Sequence, residues 1–152
     1  MRINKAGANT ILGGAKASSE KTITSAISGT RSTTAVMMGI AGSITPTNSG
    51  TVLIIVSGTI SNSKKANFSL VQLLIGTGLA PANAAKLTGT AQGTQLRATV
   101  TVANTDDVPF ALNAVVTGLT VGTTYWLDIA LASSNTNSLA SIKDLSISAI
   151  EQ

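Results

Sequence analysis

Apolar and polar residues alternate with a period of two along several stretches of this chain, and no stretch sustains a period of 3.6. The clearest case places Leu96, Ala98, Val100 and Val102 on one side and Gln95, Arg97, Thr99 and Thr101 on the other, the pattern of a half-buried strand. Phe110, Leu112, Ala114 and Val116 form another inward set behind Pro109, whose missing N–H does least harm at a strand start. Tyr125, Leu127, Ile129 and Leu131 alternate with Trp126, Asp128 and Ala130, and a last strand carries Leu145, Ile147 and Ala149. Upstream, residues 35–40 are a short apolar run, residues 51–60 read as a strand buried on both faces at its start, and residues 68–75 as the next strand. Polar turns rich in Gly, Asn, Ser and Thr separate these segments, with one short helical turn expected through Ala84-Ala85. About eight strands with no helix between them predict an all-β antiparallel β-sandwich, jelly roll or barrel.

Residues 1–32 break the pattern. Ile3, Ile11, Leu12, Ile23 and Ile27 are scattered among glycines and small polar residues with no period. The segment reads as an extended N-terminal arm, residues 1–32, ahead of a β body, residues 33–152. In isolation such an arm buries too little apolar surface to order itself.

Composition narrows the chemistry. The chain has 152 residues, of which 43% are hydrophobic but only 3% aromatic and 11% charged, and it carries 22 Thr, 17 Ser and 14 Gly. That length suffices for one domain burying roughly 70% of its unfolded surface. With no Cys and no His, thiolate and imidazole metal sites and Ser-His or Cys-His relays are excluded. Asp106-Asp107 could bind a hard cation or divide into acid and base, but reads better as a solvated turn. A glycosidase needs two carboxylates across a cleft, usually with aromatic platforms, and only Phe68, Phe110, Tyr125 and Trp126 exist here. Gly7 through Lys16 lacks the spacing of a phosphate loop. The expectation is a chain that is not an enzyme, with no cofactor and no metal.

The net charge of +4 is localised. Arg2, Lys5, Lys16, Lys21 and Arg31 face only Glu20 within residues 1–31, whereas the rest of the chain balances five cations against five anions. The arm is therefore the candidate partner-binding element. Its five cations would meet an acidic surface while Ile3, Ile11, Leu12, Ile23 and Ile27 become buried against it. No aromatic residues interleave with these cations, so nucleic acid is not the expected partner. No apolar run approaches the roughly 20 residues of a membrane span, and the polar start argues against a secretory signal, so synthesis in the cytoplasm is expected. Trp126, facing away from Tyr125, is a candidate interface anchor; the alternative is an indole capped by a loop of its own chain.

The step Leu119-x-x-Gly122-x-x-Tyr125-Trp126-Leu127 resembles one found in fibronectin-type sandwiches and in tumour-necrosis-factor-like and complement-head jelly rolls. Together with Thr34-Ala35-Val36-Met37-Met38-Gly39, Gly42-Ser43-Ile44-Thr45-Pro46, Ile75-Gly76-Thr77-Gly78, Val108-Pro109-Phe110 and Ser146 through Glu151, residues 33–152 resemble small jelly-roll virion proteins of tailed phages and prophages. The resemblance implies a jelly-roll body and a structural role in a virion. Two forms of that role follow from it. A capsid decoration, or cement, protein would form a homotrimer and spread its arms over the major capsid protein or another virion protein; a fibre or tail-tip head would bind a host receptor, with a host-surface glycan as ligand. The short chain, the basic arm and the lack of a shaft favour decoration.

Overall fold

The computed structural model describes residues 15–102 and 107–152. It contains ten strands: β1 (Ser18–Ile23), β2 (Ile27–Thr30), β3 (Val36–Met37), β4 (Gly42–Ile44), β5 (Val52–Asn62), β6 (Phe68–Thr77), β7 (Thr90–Thr99), β8 (Val108–Val116), β9 (Tyr125–Ser133) and β10 (Ala140–Glu151). They form two five-stranded antiparallel sheets packed face to face. The first has the order β1-β10-β5-β8 with β2 also on β10, and the second β3-β9-β6-β7 with β4 also on β9. Because β1 and β2 lie in succession along β10, and β3 and β4 along β9, the ten strands occupy eight positions, the layout of a jelly roll.

Alternation builds the core. Val52, Ile54 and Val56 of β5, Val71, Leu73 and Ile75 of β6, and Leu127, Ile129 and Leu131 of β9 all point between the sheets and are buried there. In β10 the inward residues Ile142 and Leu145 are three apart, which strict alternation forbids. Pairing with β5 shifts between Lys143 and Ser146, and Asp144 takes a φ of 51°. This bulge adds a residue and returns Leu145, Ile147 and Ala149 to the inner face.

β9 is buried on both faces, from Trp126 to Ser133. Its outward residues Trp126 and Ala130 join Met37 and Leu74 in a small second core, covered by Ala35, Ala80 and Ala85. The long β6–β7 connection thus folds back over the outside of its own sheet. Backbone bonds Met37 N–H to Ala85 O (2.9 Å) and Ala84 N–H to Met37 O (2.8 Å) hold it against β3. The helical turn expected at Ala84-Ala85 does not form. Ala84 has a φ of 64°, the left-handed region, and the chain instead closes a tight turn from Ala82 O to Ala85 N–H.

The division at residue 32 also requires correction. β1 and β2 are extended, but they are paired with β10 as part of the first sheet, so residues 18–30 belong to the sandwich. The sequence offers no alternation there because the hold is backbone pairing at a sheet edge rather than side-chain burial.

Candidate interaction surfaces

Of the arm residues singled out as partner-binding, Arg2, Ile3, Lys5, Ile11 and Leu12 lie outside the described residues. Lys16, Lys21 and Arg31 are exposed, and Arg31 donates from Nη1 to the carbonyl of Asn137 at 3.2 Å. Ile23 and Ile27 are half-buried against the protein's own core, so these two do not wait for a partner. β1 buries little: only Ser19 and Ile23 are even half-covered.

What holds the entry to β1 is a carboxylate at the end of β10. The inward series Leu145, Ile147, Ala149 continues to Glu151, which is 1% exposed. Its oxygens accept backbone N–H groups from Ala17 (2.9 Å), Thr47 (3.0 Å), Asn48 (2.6 Å) and Ser49, and the Thr47 hydroxyl at 2.9 Å. Burial alone would raise its pKa, but the backbone donors Ala17, Ser49, Thr47 and Asn48 outweigh burial and hold the group far below the usual carboxylate range. Glu151 therefore stays charged and ties three segments together: the N-terminal strap, the β4–β5 turn and the C-terminal strand. This residue was missed in the sequence, although the alternation of β10 extended by one step pointed inward at position 151.

Asp128 is the second buried carboxylate, fully covered on the outer side of β9. It accepts N–H groups from Gly39 (3.0 Å), Ile40 (3.0 Å) and Ile129 (2.8 Å). Burial dominates here and raises its pKa, against those three hydrogen bonds. The carboxylate clamps the turn that joins β3 to β4. Among the described residues no group of three or more potential metal ligands forms.

Trp126 is not an exposed anchor. It is 6% exposed, and its indole Nε1–H donates to Thr77 O at 3.1 Å. The ring lies where side chains at Gly76 and Gly89 would stand, since a Cβ at either would come within 2.3 Å of it. The capped arrangement prevails because the 78–89 connection closes over β9. Its neighbour Tyr125 accepts the Thr120 N–H at its hydroxyl (2.9 Å) and packs on the main core, fixing the 118–124 turn as a tyrosine corner does. Asp106 lies outside the described residues, and Asp107 forms an ion pair with Lys143 at 2.5 Å.

Leu79, Leu87, Val102 and Val121 are exposed singly in connections, whereas the outer face of the first sheet gathers exposed apolar side chains on neighbouring strands. Ile150, Leu53 and Val115 stand in register across β10, β5 and β8, with Ile55 one row further along beside Ser148 and Asn113. Ile150 and Ile55 are each 42% exposed and Val115 62%. Their neighbours are mostly serine and threonine, with Glu20 on β1 the nearest charge in these rows. A shallow depression lined by Ser18, Ser19, Glu20, Ser148 and Ile150 borders the patch.

These features define a jelly-roll sandwich with one apolar, charge-poor sheet face and a strap pinned by a buried carboxylate. Neither the family models nor the curated proteins compared with this chain include a match.

Proposed function

We propose that the chain is a non-enzymatic structural protein of a phage virion, a capsid decoration protein that self-associates and attaches to the shell through its basic N-terminal segment. The observation that carries this reading is the apolar row Ile150, Leu53 and Val115 with Ile55 on an otherwise hydroxyl-rich sheet face, the kind of patch that marks a protein interface. Three such faces meeting about a common axis form a closed ring. The strap adds support, because Glu151 fixes Ala17 at one end of the sandwich and so sets where residues 1–14, with Arg2 and Lys5, join the body. Several weak segments acting from one ring then bind a lattice through effective concentration. The jelly-roll layout also suits a fibre head, the second reading, for which exposed end loops would carry receptor contacts.

Sedimentation of the full chain at micromolar concentration is expected to give a trimer, and Ile55→Lys with Val115→Lys a folded monomer. A wild-type monomer, or a double variant that remains trimeric, would overturn the assignment of this face. Removing residues 1–14 leaves every described strand in place; that truncated protein is expected to stay trimeric yet lose salt-sensitive co-sedimentation with capsids of its source phage. Undiminished capsid binding would move the attachment site to the β body.

A further inference from the structure

The strap crosses the molecule from Ala17 beside Glu151 to Thr30 beside Ala140, which delivers Arg31 to the opposite end of the sandwich. There the 61–67 and 133–139 turns are locked together. Ser63 N–H donates to Leu139 O (2.9 Å), Leu139 N–H to the Ser63 hydroxyl (2.8 Å), and Ser134 N–H to Phe68 O (2.9 Å). Ala66 N–H reaches Val100 O at 3.0 Å, fixing the exposed Lys64 and Lys65 beside the end of β7. Two residues inside that end, Arg97 places its guanidinium 3.7 Å from the centre of the Phe68 ring. Stacking on the ring orients the guanidinium plane while leaving its edge donors for a ligand.

Among the described residues none of these cations forms an ion pair. The ion pair formed among the described residues, Lys143 with Asp107, lies at this end of the sandwich but on the first sheet, where Lys143 pairs with Thr59 and Val108 with Ile60, and Arg31 donates to the carbonyl of Asn137. Arg31, beside the end of β9 through Ser133 N–H to Ser32 O, the lysine pair ahead of β6 and Arg97 on β7 follow the β9–β6–β7 direction, and at a strand spacing of about 4.8 Å these three strands span roughly 10 Å of rim. Thr136 and Asn137 are exposed between them, on a turn braced by Asn137 N–H to Asn135 Oδ1 at 2.7 Å.

We infer that this end of the sandwich binds an acidic polysaccharide. A row of cations along a rim matches repeating negative charges on an extended polymer better than one small anion. Hydroxyl and carboxamide groups between the cations match sugar hydroxyls, which both donate and accept. A single-stranded nucleic acid would call for open aromatic faces, and the ring at this rim, Phe68, is already covered by Arg97. The surface goes beyond the decoration role and does not require the N-terminal segment, so either reading can fail without the other.

The test is biolayer interferometry of the full chain on immobilised polygalacturonate, with dextran, polyglutamate and oligothymidylate as comparisons. Binding to polygalacturonate should weaken with salt. Removing charge-assisted contacts in Arg97→Gln, or in Lys64→Ser with Lys65→Ser, should weaken it about tenfold, whereas Lys86→Ser, on the outer edge of the second sheet, should leave it within about twofold. Phe68→Leu keeps every charge and should still weaken binding by loosening Arg97, with the fold checked by circular dichroism. Absence of binding at low salt, equal binding to dextran, an equal loss in Lys86→Ser, or equally tight binding to polyglutamate or oligothymidylate would each overturn the assignment.

Discussion

Glu151 and Asp128 are both buried carboxylates, neither forms an ion pair among the described residues, and both clamp a loop by accepting backbone N–H groups. Their pKa values nevertheless move in opposite directions, down for Glu151 and up for Asp128. The difference lies in the balance of donors against burial. Glu151 sits at the mouth of the sandwich, where segments 15–17 and 47–49 converge on it with four backbone N–H groups and a hydroxyl. Asp128 lies under the 39–40 turn with three donors, too few to offset the desolvation of its charge. In a chain with only six acidic residues, two are thus used as loop clamps inside the structure, one comfortable as an anion and one strained as an anion.

The largest effect is expected from Glu151→Gln. The amide keeps one acceptor oxygen and turns an NH2 toward donors that previously met a carboxylate, leaving buried N–H groups unsatisfied. The sign of the pH dependence follows from linkage. Because the folded pKa lies below the ordinary 4.5, the stabilisation by Glu151 is full above pH 4.5 and is lost as pH falls below it. Thermal melts should therefore show the gap between wild type and variant at its widest above pH 4.5 and narrowing toward acid. Amide exchange should accelerate at Ala17 and at residues 47–49 while the β5, β6 and β9 core stays protected. A gap independent of pH would mean that Glu151 acts through shape rather than charge.

Asp128→Asn should have a smaller effect with the reverse dependence. The amide can retain the Ile40 and Ile129 bonds through one oxygen but opposes the Gly39 donor, a loss of about 1–3 kcal/mol. Relief from burying a charge offsets part of that loss at neutral pH. With its folded pKa raised above 3.8, the wild-type group favours folding most below pH 3.8 and loses that contribution as pH rises through the folded value. The penalty of the variant should be greatest in acid and shrink toward neutrality. Parallel pH profiles for the two variants would break the contrast drawn between these sites.

The same pair shows how far the sequence could be read. The sheets were legible where a wet strand face alternated with a buried one, as at Phe110 and Ala114 or Leu145 and Ile147, whereas Val102, grouped with the inward residues of its strand, lies beyond the end of β7 and is 52% exposed. The two antiparallel sheets are the expected all-β sandwich, with ten strands where about eight were expected and with β1 and β2 drawn from the segment read as an arm. Glu151 was within reach, since period two carried the inward set of β10 to it. Asp128 was not: alternation put it with Trp126 on a face that reads as solvent-facing, and that face is covered by the 35–40 and 78–89 segments. Such cover comes from residues some 40 to 90 positions away in the chain. β1 and β2 were read as a separate arm for a related reason, because Glu151 and the β10 backbone hold them and nothing in their own pattern records it.

A third carboxylate sharpens the comparison by lacking burial. Asp107 and Lys143 make a 2.5 Å ion pair on the surface, with both side chains about two-fifths exposed, at 42% and 41%. The hydrogen bond that Lys143 donates to Asp107 raises the Lys143 pKa, so whatever the pair adds is present below the ordinary lysine value of 10.5 and lost as pH rises through the folded one. Water already solvates both groups, and salt screens their attraction. Lys143→Ser should therefore leave the melting temperature within about 1 °C of wild type at physiological salt, despite a shorter contact than any Asp128 makes. If melts across a salt series instead showed a loss comparable to that of Asp128→Asn, proximity rather than burial would govern what a carboxylate contributes to this fold. The ranking of Glu151, Asp128 and Asp107 would then have to be rebuilt on distance alone.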